Sequence, residues 1–234
     1  MRFSTLLAAA AAALTLATPF AQAQAPAFPK QPLKLVVPFP AGGPTDAMAR
    51  VLAQNLGDRL GQQVIVDNKG GAGGSIAAEY VAKATADGHT LFFGTTGTMA
   101  INPSLYTKLR YDPIKDFAPV SLMATTMNVL VVNPQVPARD LEDVTKLAKA
   151  KPGELTYGSA GNGSSNHLSG ELLAARTGTR MLHVPYKGNA PAMTDVIGGQ
   201  ISMMFDIVST ARSYIGTEKV RALAVTSPAR NQSL

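Results

Sequence analysis

The sequence predicts an α/β protein built as two lobes, and three observations carry that reading. Short apolar runs alternate with helical patterns over residues 33–93. The same rhythm returns over residues 129–225. Between them lies an irregular, proline-containing stretch at about 98–125, which reads as the passage from one lobe to the other. The first lobe is expected over 26–124 and the second over 125–225.

In the first lobe, Leu33 to Val37 is a short continuous apolar run closed by Pro38-Phe39-Pro40, a buried-strand pattern. Residues 44–60 place Met48, Val51, Leu52, Leu56 and Leu60 at helical spacing. Pro44 suits the first helical position, Asp46 suits the positive end of the helix dipole, and Gly61 suits the stop. Val64 to Val66 is the next strand, Ile76 to Ala84 a helix of small residues and Thr90 to Phe93 a third strand. Gly70 to Gly74 reads as a mobile rim or a turn that needs its glycines. Strands separated by helices in this order predict a parallel sheet covered by helices.

In the second lobe, Val129 to Val132, Leu155 to Tyr157, His183-Val184, Ile201 to Phe205 and Val220 to Val225 read as strands. Helices are expected at 140–150, Ser165 to Arg176 and Ala190 to Ile197. No internal repeat is present.

The chain begins with an address. Arg2, an apolar run of about 14 residues and Ala21-Gln22-Ala23 make a charged start, a short apolar segment and a small-x-small cleavage site. A membrane span needs about 20 residues, so residues 1–23 read as a cleavable signal peptide rather than an anchor. The chain left after cleavage would carry 20 basic and 15 acidic residues and be exported, to the periplasm in a cell with two membranes.

Composition then removes whole classes of function. The 234 residues are 46% hydrophobic and 15% charged, enough to bury a core. There is no cysteine, which excludes disulfides, thiol nucleophiles, cysteine zinc sites and a lipidated N-terminal cysteine. The positive charges are scattered, with no basic run interleaved with aromatics, so nucleic acid is not an expected partner. His89, His167 and His183 are dispersed without metal-ligand spacing, and no metal or cofactor is expected. Complete Walker, dinucleotide-binding and nucleophile-elbow motifs are absent.

Three glycine-rich turns remain, each at the carboxyl end of a strand. They are Pro38 to Asp46, Gly94 to Thr98, and Gly158 to Ser165. Free N–H groups at helix starts attract anions, and glycine lets a ligand approach the backbone. Each turn alone is equally well read as a tight connection between strand and helix. Asp46 is best explained as a helix cap, and His167 as a structural histidine or a ligand contact. Together, the turns on two lobes point to a cleft with anion-accepting walls at the carboxyl ends of strands.

The residues also resemble a known family. Leu35-Val36-Val37-Pro38-Phe39-Pro40-Ala41-Gly42-Gly43-Pro44-Thr45-Asp46, Gly71 to Gly74, Ala100 to Pro103, Asp116 to Val120, Gly158 to Ser164, His183 to Gly188 and Arg221 to Thr226 are similar, in order, to the Bug-type (TctC-like) solute-binding proteins of tripartite tricarboxylate transporters. The resemblance implies a type II periplasmic-binding-protein (Venus flytrap) fold whose lobes close over a small organic anion, commonly a di- or tricarboxylate. It implies membrane permease subunits as partners. It places ligand contacts at Phe39, Ala41, Gly42, Gly43, Thr45, Thr95 and Thr96 in the first lobe, and at Ser159, Ala160, Asn162, Gly163 and Ser164 in the second. Asp206 would face the cleft or act as a cap. The carboxylate would be held by amides, hydroxyls and water, since none of the three turns contains Arg or Lys. The family continues past Arg221–Thr226 with a segment that returns to the first lobe. Residues 226–234 would be its start, so the architecture reads as C-terminally truncated, with apolar surface left open.

Two other functions fit parts of the pattern. One is an exported hydrolase of a carboxylated substrate, with Ser159 or Ser164 as nucleophile and His167 as base. The other is a ligand-sensing partner of a two-component kinase.

Overall fold

The computed structural model describes residues 28–234; the expected signal peptide, residues 1–23, lies outside them. Strand β1 (Leu33–Val37) leads into helix α1 (Pro44–Leu60) and β2 (Val64–Asn68). A 3₁₀ turn (Ala72–Gly74), α2 (Ser75–Ala82) and β3 (Thr90–Phe92) follow. These strands form a parallel sheet in the order β2-β1-β3. Its core is Leu35 and Val37 against Ala49 and Ala53 of α1, with Leu52 beside them. The stripe expected from Met48 to Leu60 is therefore displaced: Val51 points outward, 65% exposed. Two alanines one turn apart let the helix backbone lie close to the sheet, and the longer side chains flank that contact.

The stretch expected to be irregular, about 98–125, is helical in its first part. A π-helical turn (Gly97–Ile101) runs into α3 (Asn102–Leu105). The segment has no apolar period to reveal it; Pro103 falls inside the continuous run and has no N–H to give, and the Thr98 carbonyl accepts from Tyr111 Oη. Beyond it, residues 106–127 form no strand or helix longer than a turn. Ile114, Val120 and Leu122 there are more than 80% exposed.

The second sheet contains β4 (Asn128–Val132), β5 (Thr156–Ser159), β6 (Leu182–Pro185), β7 (Met203–Ile207) and β8 (Arg221–Val225). Its order is β6-β5-β7-β4-β8. Helices α4 (Leu141–Ala150), α5 (Ser165–Thr177), α6 (Asn189–Ile197) and α7 (Val208–Gly216) cover it. The sheet is mixed, because β4 runs antiparallel to both β7 and β8. Every residue of β4 is buried, and a strand covered on both faces reads as one apolar run whatever its direction. Val129 and Val131 pack with Met193, Val196 and Met204 on one face. Leu130 and Val132 pack with Val144, Tyr157 and Phe205 on the other. That alternation is the strand period of two, and truncating Leu130 to alanine would cost about 2–5 kcal/mol.

Helix α7 had no counterpart in the sequence reading. Its residues, VSTARSYIG, mix β-branched and small polar side chains with poor helix propensity, and burial of Val208 and Ala211 against the sheet overrides that. Strand β7 starts and ends two residues later than expected, so Asp206 lies inside it rather than at its end.

Candidate functional site

The turn after β1 is organised by Asp46. Its Oδ2 accepts the Gly42 N–H at 3.0 Å and Arg50 Nε at 2.9 Å. Its Oδ1 accepts Asn68 Nδ2 at 3.0 Å, and the same Asn68 amide reaches the Phe39 carbonyl at 2.9 Å. Burial pushes this carboxyl up, but the bonds from Arg50, Gly42 and Asn68 outweigh it and hold it below its ordinary value. The expected helix cap is thus a buried clamp on the whole turn. Helix α1 itself starts at Gly43 with no side-chain cap and with Pro44 in its first turn, so the amides of Thr45 and Asp46 keep no partner within the helix.

The same construction recurs on the second sheet at a place the sequence reading did not select. After β6 the chain reaches Gly188, and α6 begins there, again without a side-chain cap. Phe39, Ala41, Gly43 and Thr45 from one half and Gly188, Asn189 and Ala190 from the other line one cavity of about 20 Å³. Two uncapped helix N-termini therefore meet at one small space, each contributing roughly half a positive charge. The signal was present in Lys187-Gly188-Asn189-Ala190-Pro191, which repeats the strand, glycine, proline and helix order of Gly43-Pro44. A larger depression of about 290 Å³ lies elsewhere on the second sheet, between Asn133, Leu147, Lys151 and Ser202. Residues of one half alone line it, and none of the expected contacts is among them.

Asp206 serves this site through Asn189. Its carboxylate accepts Asn189 Nδ2, the Ile207 N–H at 2.8 Å and Thr210 Oγ1 at 2.9 Å. The group is almost fully buried, and burial raises its pKa against these bonds. The carboxylate thus fixes the start of α6.

The other expected contacts lie outside the cavity. Thr95 spends its amide and hydroxyl on Thr98, closing its own turn, and Thr96 is exposed. The turn from Ser159 to Ser164 docks on the first half instead of facing the Phe39–Thr45 turn. Tyr106 Oη donates to the Asn162 carbonyl at 3.2 Å. Gly163 has φ +82°, and a Cβ there would stand 2.5 Å from Asn102 Oδ1 and 3.1 Å from Leu105. Gly73 on the first half abuts the same Asn162 carbonyl. Ala160 and Ser164 are buried within the turn, and Ser164 Oγ caps α5 by accepting the His167 N–H at 3.3 Å.

Ser159 and His183 form a serine–histidine contact, Oγ to Nε2 at 2.7 Å. The geometry does not suit a nucleophile: Ser159 is fully buried, and His183 is held to about pKa 4 by burial first and neighbouring His167 second. A base that weak gains little from a serine proton near neutrality. His167, expected as the base, bonds instead to the Gly163 N–H through Nδ1 at 3.4 Å.

Comparisons with known proteins agree with this architecture. A family model described as "Tripartite tricarboxylate transporter family receptor" matches residues 48–234. Protein BugT of Bordetella pertussis is 38% identical over 232 residues, which are 99% of this chain and 71% of BugT. The solved structure of R. palustris Rpa4515 with adipate is 40% identical with TM-score 0.84, the match spanning 87% of this chain and 68% of that one. MatC (Rpa3494) from Rhodopseudomonas palustris with bound malate is 36% identical with TM-score 0.81, spanning 87% and 69%.

Proposed function

The chain belongs to the tripartite tricarboxylate transporter receptor family, a family of periplasmic solute-binding receptors rather than enzymes, and on that premise we propose that it captures a small organic carboxylate between its two lobes for delivery to membrane permease subunits. The observation that carries the reading is the pair of uncapped helix N-termini, α1 and α6, meeting at one cavity. An anion placed there is stabilised by both dipoles and by the orphan amides at Thr45 and Asn189. The cavity has room for one water-sized group, so a whole dicarboxylate enters only as the lobes part. The proteins whose solved structures carry adipate and malate support a dicarboxylate as the ligand class.

In this reading Phe39, Ala41, Gly42, Gly43 and Thr45 contact one end of the anion, joined by Gly188 to Ala190. Thr95, Thr96, Ser159, Ala160, Asn162, Gly163 and Ser164 form the remaining wall when the lobes close on the admitted ligand. The lobes are residues 26–124 and 125–225, residues 226–234 begin a return segment, and residues 1–23 direct export. No Lys or Arg lines the cavity, so recognition rests on neutral donors sharpened by the ligand's own charge. Affinity then stays flat from about pH 6 to 8.

Calorimetric titration with a panel of di- and tricarboxylates, adipate and malate included, tests the proposal. Saturable heat from at least one is expected. Silence across the panel from folded protein would sink it.

A further inference from the structure

Behind the Ser159–Ser164 turn, side chains of β5, β6 and α5 form one chain of contacts. Ser159 Oγ accepts the Gly161 N–H at 3.1 Å and lies 2.7 Å from His183 Nε2. A hydroxyl has one proton to give. Among the described residues its one printed acceptor is His183 Nε2; with the serine proton directed there, that nitrogen is bare and the ring is neutral with its proton on Nδ1. His167 is the reverse case. Its Nδ1 accepts the Gly163 N–H, so its proton sits on Nε2, which faces Glu171 Oε1 at 3.9 Å. The two imidazole centroids are 4.2 Å apart. The Tyr157 ring stacks on His183 at 4.9 Å, and its hydroxyl donates to Glu171. Glu171 of α5 and Tyr157 of β5 are the titratable groups that face the pair. Neither histidine lines the cavity.

We propose that His183 and His167 are positioning residues, a pair of neutral imidazoles of opposite tautomer that hold the Ser159–Ser164 turn in the shape that docks on the first lobe, and that protonating them frees the turn and releases the ligand. The inference rests on the reading above that the lobes close on a carboxylate. A proton on His183 Nε2 leaves the buried Ser159 hydroxyl with no acceptor. A proton on His167 Nδ1 removes the acceptor of the Gly163 N–H. Two imidazolium rings 4.2 Å apart also repel each other. The consequence reaches the lobes directly. Asn162 in this turn accepts a hydrogen bond from Tyr106 of the first half through its main-chain carbonyl, and Gly163 packs on Asn102. Burial keeps both rings neutral near neutrality. It lowers His167 against the opposing charge of Glu171, and it lowers His183 with His167 adding to the effect and Glu171 opposing. The device is silent at neutral pH and acts only in acid.

The test has two arms. In the first, without ligand, imidazole ¹⁵N spectra and amide exchange are followed from pH 7.5 downward. Opposite neutral tautomers at pH 7.5, and loss of Gly161 and Gly163 amide protection as the rings titrate, are expected. Equal tautomers, or amides indifferent to that titration, overturn the proposal. In the second, adipate and malate affinities are measured over the same range for wild type, His183→Gln and His167→Asn, which keep an acceptor that does not titrate. The ratio of variant to wild-type affinity cancels the ligand's own ionisation. That ratio should rise by up to about tenfold for each pH unit once the ring the variant lacks begins to charge in the wild type. A constant ratio overturns the proposal. His183→Leu, which keeps no acceptor, should bind weakly at every pH if it folds. If the first arm succeeds while neither probe binds wild type at pH 7.5, the carboxylate reading fails and the positioning of the turn stands.

Discussion

Tyr106 Oη donates to the main-chain carbonyl of Asn162 across the boundary between the two halves, at 3.2 Å. One neutral hydrogen bond contributes about 0.5–1.5 kcal/mol. Tyr106→Phe removes that contribution from the closed form and leaves the ring in place. Adipate or malate affinity should fall about two- to tenfold, with the melting temperature unchanged. Unaltered affinity would show that this bond does not support closure.

Gly163 carries a stricter demand. Its φ of +82° disfavours any side chain, and a Cβ meets Asn102 Oδ1. Gly163→Val should cost roughly 1–3 kcal/mol of stability through backbone strain. Its larger effect should be on closure. Small-angle scattering should show wild type compacting when malate binds and the variant failing to, with Gly163→Ala intermediate. A variant that compacts and binds like wild type would place the turn away from the lobe contact.

The uncapped start of α6 offers a test of opposite signs. Ala190→Asp puts a carboxylate in the first turn, where it interacts with the dipole as a bound anion would. Stability without ligand should rise by about 0.3–1 kcal/mol, and carboxylate affinity should collapse. Thermal melts and calorimetry read the two effects separately. A stabilised variant that binds normally would remove this helix end from the site.

Asp46 sets an acid limit on the first half. Its pKa is depressed in the folded state, so as pH falls the unfolded chain takes up the proton first. The stability it contributes is present above the ordinary carboxylate value near 3.9 and is lost as pH falls through the lower folded value. Asp46→Asn should be less stable at neutral pH and lose less on acidification below about pH 4. Denaturant midpoints at a series of pH values measure this. Parallel curves for the two proteins would contradict the clamp.

His183 produces an acid loss in a higher window. Its folded pKa of about 4 lies below the ordinary histidine value near 6.5, so the unfolded chain binds protons first between those values. Stability should decline as pH drops through that window, and His183→Gln should remove its share of the decline and leave that of His167.

The alternation of strand and helix, the paired lobes and the glycine turns at strand ends were legible because each is a local pattern. Apolar runs such as Leu33–Val37 and Val129–Val132 declare strands, and Gly43-Pro44 declares a helix start. The family was legible too, since its motifs are contiguous strings. Tertiary structure alone decided the rest. It made the second sheet mixed, since β4 reads the same in either direction when both faces are buried. It formed α7 against local propensity, through burial of Val208 and Ala211. It also sorted the expected site residues. Phe39, Ala41, Gly43 and Thr45 meet Asn189 at the cavity, whereas the Ser159–Ser164 turn presses on Asn102 and Tyr106. Which turn faces which depends on how two sheets are set against each other across residues 106–127. That setting is fixed by contacts between residues tens of positions apart, such as Gly163 with Asn102, and no local spacing encodes it.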